Sequence, residues 1–146
     1  MMGESNLKLM DKLNHIKNLF LLGKSDDNLD ENEIDIITQI ARQHGLNYKD
    51  IDYITSNSNQ IPFTLPDQFT DRLSALYDLV LLMVSDFDVH EKELAFCKQV
   101  ALKYEFNPQI IDELTEDVLA FVLEGKECDE VMEYLVKYAH PKSNLN

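Results

Sequence analysis

Residues 11–54 of this chain lie over residues 71–114 without a gap, at an offset of 60 positions. Fourteen of the 44 aligned pairs are identical, among them Asp11 with Asp71, Leu19 with Leu79, Ser25 and Asp26 with Ser85 and Asp86, and Glu31 and Glu33 with Glu91 and Glu93. The identities run on through Ala41 with Ala101, Asn47 with Asn107 and Asp52 with Asp112, and nine of the other pairs exchange one apolar residue for another. A period this long marks a duplicated supersecondary unit, and its halves must pack together because one alone cannot cover its hydrophobic face.

The apolar spacing inside each unit is helical. Leu13, Ile16, Leu19 and Phe20 match Leu73, Leu76 and Val80 of the second unit, whose helix turns apolar on nearly all sides from Leu79 to Val84 and is predicted to be central. Ile34, Ile37, Ile40, Ala41 and His44 form a second amphipathic stripe, repeated by Leu94, Cys97, Val100, Ala101 and Tyr104. Asn47 and Asn107 are placed to cap a third helix in each unit, with Pro108 at a first helical position where a missing amide hydrogen does no harm. The connector, residues 55–66, is rich in turn formers, and Ile61, Phe63 and Leu65 are expected to pin it to the core. Gly125 ends a helix, and a final amphipathic segment occupies about residues 127–139. The prediction is an all-α fold of about seven helices, two pseudo-symmetric repeats packed into one bundle-like domain over residues 1–146.

Composition narrows the function. Residues 1–60 carry 10 acids against 6 bases and residues 61–146 carry 17 against 7, which gives the net charge of −14. From Asp112 to Glu133 nine acids face only Lys126. Such a surface repels phosphate backbones, which argues against nucleic-acid binding, and favours cations or a basic protein partner. No apolar run is long enough to span a bilayer and the first residues lack the order of a secretory signal, so cytoplasmic residence is expected. Cys97 and Cys128 stand 31 residues apart, and Cys97 reads as a reduced core residue. No nucleophile elbow, phosphate loop or zinc-protease motif is present, so no enzymatic activity is predicted. His15, His44, His90 and His140 are spread along the chain, with His44 reading as a helix-end core residue.

The feature richest in chemistry is an acidic loop present twice, Ser25-Asp26-Asp27-Asn28-Leu29-Asp30-Glu31-Asn32-Glu33 and Ser85-Asp86-Phe87-Asp88-Val89-His90-Glu91-Lys92-Glu93. Hard cations need several converging oxygens, and Asp26, Asn28 and Glu33, or Asp86, Asp88 and Glu93, could supply them. His90 adds a nitrogen to the second loop, making it the better candidate and shifting its preference toward zinc over calcium or magnesium. A full EF-hand is excluded, because Glu31 and Glu91 stand where its turn needs glycine. The competing reading is capping: Asp30 and Glu33 have the spacing of a capping box, and acids in a first helical turn complement the helix dipole.

These loops resemble the turn of the tellurite-resistance TerB family and its TerB-like relatives, which carry A-D-G-x-I-x-x-x-E there. Asp26, Leu29 and Glu33 match that pattern in the first copy, and Asp86, Val89 and Glu93 match it in the second, while serine replaces the alanine and Asp27 and Phe87 replace the glycine. The resemblance covers roughly residues 11–120. It implies an all-helical protein of two related halves, a stress-response or metal-associated role without catalysis, and action through partners in a peripheral complex at the membrane. The leading expectation is a TerB-like module that binds a divalent cation weakly at these loops. The alternative is an acidic protein-interaction module in which the loops are only caps.

Overall fold

The computed structural model describes residues 8–25, 29–85 and 91–136. Among them are seven α-helices and no strand: α1 (Leu9–Gly23), α2 (Glu31–Gln43), α3 (Tyr48–Ser56), α4 (Phe69–Met83), α5 (Glu91–Lys103), α6 (Ile111–Leu123) and α7 (Cys128–Leu135). The fold is all-α, as the apolar spacing predicts. A 3₁₀ turn, Ser58–Gln60, opens the connector. The bounds of α4 and α5 are those of α1 and α2 moved by 60 residues.

Helices α1 and α4 pack against each other at the centre. Around them α1 touches α2, α3 and α5, while α4 touches α5, α6 and α2. Exchanging α1 with α4, α2 with α5 and α3 with α6 maps these contacts onto one another, whereas α5 also packs on α6 without a contact of like extent between α2 and α3. Ile16, Leu19, Leu22, Leu73, Leu76, Leu79 and Leu82 fill the shared interior, all fully buried. α1 is as central as α4, although its sequence is far more polar: Asp11, Asn14, His15, Lys17 and Asn18 are all buried. The connector supplies partners for several of them. Lys17 Nζ donates to the Ile61 carbonyl at 3.0 Å, Asn14 Nδ2 donates to the Thr64 carbonyl at 3.2 Å, and the Thr64 hydroxyl donates to Asp11. Burial and the nearby Lys103 lower the Lys17 pKa, and the carbonyl bond is what makes a buried ammonium tolerable.

In the second unit α7 covers α4 much as the connector covers α1. Val131 and Leu135 are buried there, Ser74 Oγ lies 3.7 Å from Cys128 Sγ, and the Tyr77 hydroxyl donates to the Lys126 carbonyl at 2.8 Å. Ile61 is buried and Phe63 and Leu65 pack against the core, so the apolar residues of the connector do pin it.

Two local expectations need correction. Asn47 caps α3 through a closed box, accepting from Asp50 N at 3.0 Å while the Asp50 carboxylate accepts from Asn47 N at 2.9 Å. The equivalent of Asp50 in the second unit is Ile110, which has no carboxylate to complete a box. Asn107 Oδ1 instead accepts from Gln109 N at 2.9 Å, residues 108–110 form a turn, and α6 starts only at Ile111. Ile34 is exposed rather than part of the buried stripe of α2, which is Ile37, Ile40 and Ala41.

Three helices end on the same device. After α2, Gly45 N donates to the Arg42 carbonyl and Leu46 N to the Ala41 carbonyl; Gly125 and Lys126 repeat the pair after α6, and Glu105 and Phe106 repeat it after α5. This Schellman ending needs a residue with positive φ. Gly45 and Gly125 supply it at φ 81° and 82°, but at φ 68° the second unit uses Glu105.

Candidate functional site at the junction of α1, α2 and α4

Of the seven residues predicted to hold a cation, Asp26, Asn28, Asp86, Asp88 and His90 lie outside the described residues. Glu33 and Glu93 are described, at the first turns of α2 and α5, and are 2% and 1% exposed. Glu33 is engaged in the capping box. Its Oε1 accepts from Asp30 N at 3.1 Å, and Asp30 Oδ1 accepts from Glu33 N at 2.8 Å, so two amides at the start of α2 are satisfied reciprocally. Leu29 folds back over the end of α1, where a Cβ on Gly23 would lie 2.5 Å from its Cδ1. Ser25 closes the same helix end by donating its hydroxyl to the Leu22 carbonyl at 2.7 Å.

Elsewhere the fold assembles a group that is scattered in the sequence. His15 from mid-α1, His44 at the C-cap of α2 and Asp78 from α4 each place one ligand-type atom within 4.8 Å of the other two. His15 Nε2 lies 2.8 Å from Asp78 Oδ2, and the two imidazoles meet edge to face with centroids 5.7 Å apart. His15 is 2% exposed, whereas His44 and Asp78 are half-buried. Burial lowers the His44 pKa to about 4; the His15 ring adds to this, Asp78 opposes it and Lys12 contributes the least. The His44 imidazole is therefore neutral at ordinary pH, with a lone pair on one nitrogen. Nδ1 of His15 and Nδ1 of His44 are both buried with no hydrogen-bond partner among the described residues. Beside Asp78 opens a cavity of about 380 Å³ between α2 and α4, lined by Gln39, Ile40, Gln43, Tyr77 and Leu81 and bounded by Cys128.

The duplication provides an internal comparison. At the offset of 60, Ala75 answers to His15, Tyr104 to His44, and Asn18 to Asp78. There the Asn18 side chain hydrogen-bonds the Tyr104 hydroxyl, while burial pushes that phenol to about 12. One unit thus closes this corner with a neutral amide and phenol. The other unit places a carboxylate and two imidazoles there. Sequence reading missed the cluster because its members lie on three helices, and the aligned pairs Asp78 with Asn18 and His44 with Tyr104 were the available signal.

Neither thiol is activated. Burial raises Cys97 to about 12, with Glu93 adding to the effect, and raises Cys128 to about 11. Both cysteines are free. No helix among the described residues is long and apolar enough to cross a membrane.

The fold and its polar corner define an all-helical protein with an internal duplication and an acidic surface. Compared with family models, curated proteins and solved structures, the chain matches none of them.

Proposed function

We propose that this chain is a non-enzymatic, TerB-like helical module that works by binding, with the acidic face of α6 and α7 meeting a basic protein partner. The observation that carries this reading is how that face is built. Asp112, Glu113, Glu116, Glu124, Glu127, Asp129, Glu130 and Glu133 are all exposed, and exposed Leu123 and Tyr134 stand among them at 63% and 56%. Among the described residues, ion pairs on this face join Lys126 to Glu130 at 3.4 Å and Lys98 to Asp112 at 3.0 Å. Dense like charge around exposed apolar side chains suits a partner that brings both lysine or arginine and an apolar surface. By resemblance the setting is a cytoplasmic stress-response assembly of the tellurite-resistance type, in a peripheral complex at the membrane.

Charges of this kind act mainly on the encounter rate and are screened beyond about 8 Å at physiological ionic strength. Association should therefore slow as salt rises, and reversing Glu127, Glu130 and Glu133 to lysine should abolish it. A partner from the native cell that binds with a salt-independent rate, or binds the reversed protein equally well, removes the reading.

Weak binding of calcium, magnesium or zinc at the two acidic loops is the second reading. It draws on Asp86, Asp88, His90 and Glu93, with Asp26, Asn28 and Glu33 in the first copy. The second loop is the stronger of the two, since Asp88 stands where the first has Asn28 and His90 adds a nitrogen. Calorimetry on the parent, Asp86→Ala and Asp26→Ala tests it, and no heat at millimolar cation in the parent would dismiss it.

A further inference from the structure

We propose that His15, His44 and Asp78 form a binding site for a divalent transition-metal cation of the zinc type, reached from solvent through the cavity beside Asp78. Its three residues belong neither to the acidic loops nor to α6 and α7, although the cavity is also lined by Ser85 and Cys128.

Donor chemistry sets the class of cation. Two imidazole nitrogens and one carboxylate oxygen are borderline ligands that suit zinc and neighbouring first-row metals, whereas calcium and magnesium favour oxygen alone. Geometry is compatible with one ion. Zinc–nitrogen and zinc–oxygen bonds of about 2.0–2.2 Å in a tetrahedron put neighbouring ligand atoms about 3.3 Å apart. The three ligand atoms here are within 4.8 Å of one another and the closest described pair is 2.8 Å apart, so modest side-chain rotations bring them to an ion. The three residues also come from separate elements, so a shared ion would tie α1, α2 and α4 together.

Three further observations point the same way. First, His44 has a buried Nδ1 that makes no hydrogen bond among the described residues, and such a nitrogen is costly to bury unless it serves a ligand or a proton. Second, His44 sits at the C-cap of α2, where the helix dipole favours positive charge. Third, the equivalent corner of the second unit is closed by Asn18 and Tyr104 beside Ala75, with the Phe63 ring 5.2 Å from Tyr104, so none of the three equivalent positions there carries a carboxylate or an imidazole. The acid and two histidines distinguish the first corner.

Coordination has a definite proton account. His15 Nε2 now shares a hydrogen with Asp78 and must offer the ion a lone pair. From the neutral ring that hydrogen moves to Nδ1, and from the imidazolium one proton is released to solvent. Asp78 exchanges a hydrogen bond for a metal bond. Asp78 lines the cavity and is the member of the three through which an ion would be reached.

The experiment uses the full chain stripped with a chelator and titrated with zinc by calorimetry and with cobalt(II) by visible absorbance. One equivalent of zinc is expected, with a tetrahedral cobalt spectrum and no competition from millimolar calcium or magnesium. Loss of an outer partner of a metal ligand already weakens binding about 10–100-fold, so His44→Gln and Asp78→Asn should each weaken zinc at least about tenfold. Asp86→Ala with His90→Ala in the second loop should leave it unchanged. Imidazole resonances in the parent protein give a readout that does not depend on any variant folding: His15 and His44 should shift with substoichiometric zinc, and His90 and His140 should not. The proposal is overturned if the parent takes up no zinc, if the loop substitutions abolish uptake, or if the shifting resonances belong to His90 or His140.

Discussion

Glu105 occupies a backbone conformation that the first unit assigns to glycine, and replacing it should stabilise the protein. At φ 68° it donates its amide to the Leu102 carbonyl while Phe106 N reaches the Ala101 carbonyl, closing α5. A left-handed conformation costs a residue with a Cβ about 1–2 kcal/mol. Glycine removes that strain, but its greater freedom in the unfolded chain offsets about 0.4–1 kcal/mol. The net expectation for Glu105→Gly is a gain of about 0.5–1 kcal/mol, or about 1–4 °C in the melting midpoint of a chain this size. Gly45, its counterpart at φ 81°, should respond with the opposite sign. A Cβ there would meet nothing within 4 Å, so Gly45→Ala loses only backbone energy, about 0.5–1 kcal/mol. Urea unfolding followed by circular dichroism measures both, with the slope unchanged so that the midpoint alone reports stability. Glu105→Gln isolates the benefit of removing one acid from a chain of net charge −14. A lower midpoint for Glu105→Gly, a higher one for Gly45→Ala, or a gain fully reproduced by Glu105→Gln would refute the reasoning.

Acid should weaken the fold through His44. Its folded pKa of about 4 lies below the ordinary 6.5, so the unfolded chain takes up the extra proton first and stability, complete above pH 6.5, falls as pH drops toward 4. The shift corresponds to at most about 3 kcal/mol, reduced to about 1–2 kcal/mol by the ring's contact with solvent, and His44→Gln should flatten this part of the pH–stability curve. Asp30→Ala breaks the capping box at α2 and should cost about 1 kcal/mol in chemical denaturation, while the equivalent His90→Ala should cost less. Gly23→Ala would press a methyl into Leu29 and should displace the first loop, lowering stability by about 1–3 kcal/mol, visible as a shifted Leu29 methyl resonance. Superposing an experimental structure of residues 11–54 on 71–114 should align α1 with α4 and α2 with α5, and a different packing of the two pairs would end the argument from duplication.

Periodicity made the helices legible, since a stripe at 3 and 4 residues has one structural reading and its repetition doubles the signal. It also made the capping of α2 legible, because Asp30 and Glu33 lie within one turn. What stayed hidden is contact across distance. The burial of α1 could not be read from a polar string, since Asn14 and Lys17 become acceptable only when Thr64 and Ile61 come back over them. The late start of α6 followed from Ile110 standing where Asp50 completes a box, a difference in one side chain that helical spacing does not register. The polar corner was invisible for the same reason as the buried face of α1: His15 and Asp78 are 63 residues apart and meet only through the α1–α4 packing.

The crossed contacts of the two units carry a consequence for how the chain can be divided. α5 rests on α1 and α2 rests on α4, so the second helix of each half covers the first helix of the other. Neither half encloses its own interior. Severing the backbone near the 3₁₀ turn at Ser58–Gln60 would leave two fragments, each with one bare face shaped for the other. Such pieces are suited to reassembly by complementation, and two intact chains could trade halves by the same contacts, so that connector length, rather than any new surface, would decide between a closed monomer and an exchanged pair.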